Sequence, residues 1–311
     1  MTSIVRGSWS DCPAVVIKNS LKNNSVIRGV VGHRGAREKA PENTIASFQQ
    51  AVDDGADSVE LDVQLSKDGV YVVIHDDTLD RTTNGSGPVK EHTLAELKSL
   101  DAGSWFGDQS EFKGERIPTL EESLEWAQGR TKVDIEVKQN PDVPMTSRSL
   151  INLIKAKGME GQVAVTSFDR KFVEAVEARA PEIETGVLLS AKPTFQKAKK
   201  GAVLGLGTGF VTGLLATGSV LSSLGIGLAS AVVGGIGGLK SGLSTTREVA
   251  SQTEADAILP NQFIATKSVV EAAHEKGKTV VPYTVNNSLV AKVLLSRGVD
   301  GLVTDRPQDF L

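Results

Sequence analysis

Cysteine is almost absent from this chain: Cys12 is the single one in 311 residues, so no intrachain disulfide can form. That usage suits a reducing compartment. An excess of basic charge is missing too. Lys and Arg number 34 against 38 Asp and Glu, a net charge of -4, whereas a nucleic-acid-binding surface would be basic. The opening stretch, MTSIVRGSWSDCPAVVIKN, has no long apolar core of the kind a secretory signal needs, so a cytoplasmic location is expected. No set of Cys and His suggests zinc. Histidine itself is scarce, and two of the four, His33 and His75, directly follow apolar runs.

What is present is an ordinary globular balance of 40% apolar and 23% charged residues, enough for one large α/β domain or two small ones. Residues 1–28 read as a polar extension before the domain at 29–311. From there, short β-branched runs alternate with helical patterns. Strands are expected at Val30-Val31, Ser58–Leu65, Val133–Val137, Val163–Thr166, Gly186–Leu189, Ala257–Leu259, Val280–Val285 and Gly301–Thr304, with a short extra one at Val70–Ile74. Helices are expected after the Asn43-Thr44 cap, after the capping box at Thr119, and at Leu150–Lys157, Lys171–Ala180, Lys267–Lys276 and Ser288–Arg297. About eight principal strands with helices between them point to a parallel (β/α)8 TIM barrel. A doubly wound sheet is the competitor, but chemistry-bearing residues fall at the ends of many strands rather than beside one switch point. Two inserts interrupt the series: a polar one at about 77–118, after the second strand, and a Gly-rich hydrophobic one within 195–250, after the fifth.

The chemistry concentrates between Val30 and Asp77. Side chains alternate along a strand, so Glu60, Asp62 and Gln64 share one face while Val59, Leu61 and Val63 share the other. Two carboxylates on one face of an apolar strand need a partner, because burying unpaired charge is costly. A cation supplies one. In Val133–Lys138 the same alternation puts Asp134, Glu136 and Lys138 on one face. A structural Glu136–Lys138 ion pair is one reading; a third carboxylate ligand is the other. Three carboxylates with water suit a hard divalent ion, Mg²⁺ or Ca²⁺. Arg34 is a permanently charged planar donor suited to a phosphate oxygen, with a rim salt bridge to Glu38 or Asp62 as its competing reading.

His33-Arg34-Gly35, Pro41-Glu42-Asn43-Thr44, Glu60-x-Asp62 and His75-Asp76, in that order, resemble the glycerophosphodiester phosphodiesterase family. The likeness continues through Arg81-Thr82-Thr83, Ile135-Glu136-Val137-Lys138, Tyr283-Thr284-Val285-Asn286 and Thr304-Asp305-Arg306-Pro307. It implies the same barrel, with Glu60, Asp62 and Glu136 as ligands of one divalent cation and His33 and His75 as the acid–base pair. It further implies Arg34 and Lys138 on the phosphate and an aromatic wall at Tyr283, where the family often has Trp. Glu42 and Asn286 fall behind these, Glu42 as a partner of His33 or Arg34. The implied reaction is hydrolysis of glycerophosphodiesters to sn-glycerol 3-phosphate and an alcohol. Two alternatives stand beside it. One is a lipid-directed phosphodiesterase of lysophospholipase D or phospholipase C type; the other is a catalytically silent, membrane-bound barrel.

Residues 201–239 hold no charged side chain at all. Gly205, Gly209 and Gly213 recur every four residues, and Lys197, Lys199, Lys200 and Lys240 flank the run. It is too long for one span of a bilayer, which takes ~20 residues. The expectation is a hairpin with Ser222-Ser223 near its bend, making peripheral membrane contact or self-associating through its small-residue stripe. A soluble helix pair covering the barrel is the competing reading.

Overall fold

Short β-branched segments such as Val30-Val31, Val59-Glu60-Leu61 and Val163-Ala164-Val165 bury both faces, as central parallel strands do when helices cover them. In this computed structural model, which describes residues 25–108, 110–138, 142–190 and 247–310, they form one sheet. Its strands are β1 (Gly29–Gly32), β2 (Ser58–Leu65), β3 (Tyr71–Val73), β4 (Lys132–Val137), β5 (Val163–Ser167), β6 (Glu184–Leu189), β7 (Ala257–Pro260), β8 (Thr279–Val280) and β9 (Gly301–Thr304). The parallel order is β8-β7-β6-β5-β4-β2-β1-β9, with β3 antiparallel on β2. Backbone bonds from Asp300 N to Val280 O (2.9 Å), Val303 N to Pro282 O (3.0 Å) and Val285 N to Val303 O (2.8 Å) join the two ends. The result is the expected (β/α)8 barrel.

The helices are α1 (Ile45–Asp53), α2 (Leu94–Ser99), α3 (Leu120–Ala127), α4 (Val143–Ala156), α5 (Arg170–Glu177), α6 (Lys267–His274) and α7 (Ser288–Ser296). Residues 247–252 are also helical. Two sequence expectations shift. The helix expected from Leu150 begins a full two turns earlier, because Asp142 caps it and Pro144 sits in the first turn, where a missing N–H costs nothing. The strand expected over Val280–Val285 shortens to Thr279–Val280, since Pro282 has no N–H to give to a ladder.

Outside the barrel wall, Phe48, Leu61, Val63, Leu124, Ile135, Leu150 and Phe172 belong to one buried apolar cluster. Inside it, Val31, Ala164, Leu188, Leu259 and Val303 pack with Val26 and Ile27. The polar excursion after β3 has its own small core, built from Val72, Ile74, Leu79, Val89, Leu97, Ala102 and Ile117. That core is the inserted subdomain. The expected hydrophobic hairpin at 201–239, and the extension at 1–28 except its last four residues, lie outside the described residues. Among the described residues no helix is long and apolar enough to cross a membrane.

Candidate active site

Parallel register decides which carboxylates meet. Glu60 stands opposite Asp134 and Asp62 opposite Glu136 across β2 and β4. One carboxylate oxygen each from Glu60, Asp62 and Glu136 comes within 4.8 Å of the others, and this is the one such cluster among the described residues. All three residues are buried. Glu60 Oε1 has no hydrogen-bond partner, while Oε2 accepts from Arg34 N at 2.7 Å. Asp62 Oδ1 faces the Lys138 ammonium at 2.6 Å, and Lys138 also pairs with Glu136. The ion pair that competed with the ligand reading is therefore present, and it does not displace the carboxylate cluster. The donor set, three converging carboxylates with one buried oxygen left unpartnered, fits a hard divalent cation. Burial, with Asp62 and Glu136 alongside, pushes the Glu60 carboxyl well above its usual range. Burial and Asp62 also push Glu136 up. Asp62 goes the other way: despite its burial, Lys138 and Arg34 hold it below the ordinary carboxylate value. Concentrated negative charge of this kind favours an incoming cation.

The segment after β1 brings a guanidinium beside the carboxylates. Arg34 adopts φ 54° and Gly35 φ 86°, a left-handed turn. A Cβ on Gly35 would lie 2.5 Å from the Ser47 carbonyl oxygen, so the close approach of α1 requires glycine there. The turn aims Arg34 inward, its Nη1 on Glu42 Oε1 (2.7 Å) and its Nε 3.2 Å from Asp62 Oδ2. Each residue of Glu42-Asn43-Thr44 has a separate task. Thr44 caps α1 by accepting from Ser47 N at 3.2 Å. Asn43, at φ 59°, gives Nδ2 to Asp62 Oδ2 at 2.9 Å and accepts from Asp62 N at 3.2 Å. Glu42 holds Arg34, Arg37 and Arg81. Of the two partners expected for it, Glu42 meets Arg34, while His33 pairs with Asp305.

Each of the two imidazoles is held by a carboxylate. His33 Nδ1 lies 2.6 Å from Asp305 Oδ1, and Asp305 Oδ2 accepts from Asn286 Nδ2, also at 2.6 Å. His75 Nδ1 lies 2.7 Å from Asp76 Oδ1. Both aspartates are held below the usual carboxylate range, Asp305 by His33 in spite of burial and Asp76 chiefly by Arg81. An ionised carboxylate only accepts, so each Nδ1 carries the proton and each Nε2 is left for other business. Burial lowers the pKa of both histidines. Gln64 Nε2 supports the His75 turn through the carbonyls of His75 (3.0 Å) and Asp76 (2.6 Å).

Tyr283 lines the same cavity as His33, Glu60, Asp134 and Glu136. Its hydroxyl donates to Leu189 O at 3.1 Å, and Phe168 meets its ring edge-on at 6.0 Å. The wall it offers is thus an aromatic face rather than a hydroxyl. Sequence reasoning left out Asp305 as the partner of His33, and Asp76, Arg81 and Arg37 as parts of the site. The signals available were the adjacency of His75 and Asp76 and the place of Arg81 and Asp305 within motifs shared with the family.

The model of the glycerophosphoryl diester phosphodiesterase family matches residues 33–209 and 239–309. A glycerophosphodiester phosphodiesterase of Caldanaerobacter subterraneus subsp. tengcongensis is 34% identical over 284 residues, covering 91% of this chain and 96% of its own. The crystal structure of glycerophosphodiester phosphodiesterase from Agrobacterium tumefaciens superposes with a TM-score of 0.64 at 29% identity, covering 91% of this chain and 99% of the other. An Oleispira antarctica phosphodiesterase in complex with the product sn-glycerol-3-phosphate gives 0.67 at 27% identity, covering 91% and 94%. This chain belongs to the glycerophosphoryl diester phosphodiesterase family and is a phosphoric diester hydrolase.

Proposed function

We propose that the enzyme hydrolyses glycerophosphodiesters to sn-glycerol 3-phosphate and an alcohol, with a divalent cation and the two histidines as its working parts. The observation that carries this reading is the convergence of Glu60, Asp62 and Glu136 within 4.8 Å, on a barrel whose two strand-end imidazoles each sit on a carboxylate. Those three carboxylates would hold Mg²⁺ or Ca²⁺, which when bound supplies charge neutralisation and polarises the phosphodiester. Arg34 and Lys138 add fixed positive charge for the oxygens that gain charge in the transition state. One histidine takes the proton of the attacking hydroxyl through Nε2. The attacker is water or the glycerol 2-hydroxyl by way of a cyclic phosphate. The other histidine enters the step protonated on both ring nitrogens and gives its Nε2 proton to the departing alcohol. Asp305 and Asp76 fix which ring nitrogen performs the transfer, and the Tyr283 face bounds the cavity. Glycerol 3-phosphate release from glycerophosphocholine, run beside a lysophospholipid, tests the reading. Turnover of the first is expected, and inactivity toward both overturns it.

A second reading rests on a separate observation. The family match breaks between 209 and 239, inside the run without charge. We read residues 210–238, the part of that run outside the match, as an addition to the family pattern, and the run as what brings the active site to a membrane surface, which favours a lipid-derived phosphodiester. It leaves after β6, and the C-terminal ends of barrel strands are the end that carries the site.

A further inference from the structure

Arg81 stands in the polar excursion, outside the barrel, yet its guanidinium makes four hydrogen bonds to two carboxylates. Nε and Nη2 reach Asp76 Oδ2 (2.6 Å) and Oδ1 (2.9 Å), while Nη1 and Nη2 reach Glu42 Oε2 (2.9 Å) and Oε1 (2.8 Å). A solvent-exposed ion pair usually contributes little. This one differs because the Glu42 side chain is 3% exposed and is itself fixed by Arg34, deep in the site. Arg81 therefore has a rigid foothold. What it holds from there is the carboxylate that touches His75.

Comparison of the two imidazoles shows why that grip matters. Asp305 is steadied against His33 by Asn286, whose side chain bonds both the Asp305 carboxylate (2.6 Å) and its backbone N–H (2.9 Å). Asp76 is the neighbour of His75 in the chain and is 28% exposed. Its backbone is cradled by Gln64, and its carboxylate, beyond the contact with His75, is gripped by Arg81. The excursion in turn holds Arg81 in place: Leu79 is fully buried, and Thr83 bonds back to Leu79 O at 2.7 Å. Thr82 and Thr83 line a small cavity together with Glu42, Asn43 and His75.

We propose that Arg81 is a positioning residue for the reaction: from its foothold on Glu42 it locks Asp76 against His75 Nδ1, so that the inserted subdomain sets the orientation of one of the two imidazoles. This rests on the reading of His75 as half of the acid–base pair. It assigns the excursion a part in catalysis rather than in packing alone. A lysine cannot replace the arginine fully, because a single ammonium cannot form two forked pairs at once.

The test compares Arg81→Gln, Arg81→Lys, Asp76→Asn and the Arg81→Gln/Asp76→Asn double variant in glycerophosphocholine turnover. Arg81→Gln and Asp76→Asn are each expected to lower kcat about a hundredfold with KM little changed, as for a misplaced catalytic group. The double variant is expected to be no slower than the slower single one, since both changes act on one contact. Arg81→Lys should recover part of the loss. In ¹⁵N spectra, the His75 ring nitrogens of Arg81→Gln should lose the single Nδ1–H form while those of His33 stay as they were; general loss of structure would move both. Wild-type kcat in Arg81→Gln, multiplied losses in the double variant, or unchanged His75 signals would each overturn the proposal. His75→Ala separates the layers. If it is inactive while Arg81→Gln is fully active, only the clamp fails; if it is active, the acid–base reading beneath it fails.

Discussion

In the proposed reaction, His33 and His75 owe their roles to their neighbours. A lone imidazole can lose either ring proton, but with Nδ1 on an ionised aspartate the free nitrogen is settled. Replacing either with alanine should cost at least about a hundredfold in kcat, the usual worth of a positioned acid or base. The rise in melting temperature on adding Mg²⁺ or Ca²⁺ should survive both changes, because neither histidine belongs to the carboxylate cluster. Activity assays paired with thermal melts check this, and near-normal turnover in either variant removes that residue from the pair. Glu42 makes a prediction of another kind. In spite of its burial, Arg81 and Arg34 hold its pKa at about 2, against 4.5 when unperturbed. A depressed folded-state value means its contribution is complete above pH 4.5 and fades as pH falls toward 2. Urea titrations should therefore show the stability gap between wild type and Glu42→Gln closing over that window; a constant gap would contradict the assignment.

The turn from β1 into α1 is where local sequence and active site are hardest to separate. Gly35 permits the left-handed backbone and the approach of Ser47, which together aim Arg34 at Asp62 and Glu42. Gly35→Ala should destabilise the protein by about 1–3 kcal/mol, the usual cost of such a backbone conformation, and weaken substrate binding as Arg34 shifts. Urea midpoints and KM measure the two effects. Much of this architecture was legible beforehand, because period-two alternation in Ser58–Leu65 and Val133–Val137 already places the acidic residues on shared faces. The start of α4 was not legible: Pro144 reads as a breaker unless Asp142 is recognised as its cap. Nor could spacing have joined His33 to Asp305 or Glu42 to Arg81. Those contacts depend on the closure of the barrel and on how the excursion folds back, and neither leaves a local pattern in the chain.

Viewed entire, the described residues form a barrel whose strand ends converge on one cavity and whose inserted subdomain meets the site's edge through the contacts of Arg81 with Glu42 and Asp76. The run at 201–239 is a separate matter, since its residues 210–238 fall outside the family match. Deleting 201–239 should leave turnover of glycerophosphocholine in solution near normal and should abolish flotation with anionic liposomes. Equal recovery of both proteins away from the vesicles would end the membrane reading without touching the chemistry. The chemistry stands or falls on the cluster of Glu60, Asp62 and Glu136. Its most direct test is the rate of glycerol 3-phosphate release from glycerophosphocholine before chelation, after exhaustive chelation, and after Mg²⁺ or Ca²⁺ is restored. The rate should fall to background on chelation and return with the ion; undiminished turnover by the metal-free enzyme would contradict the account.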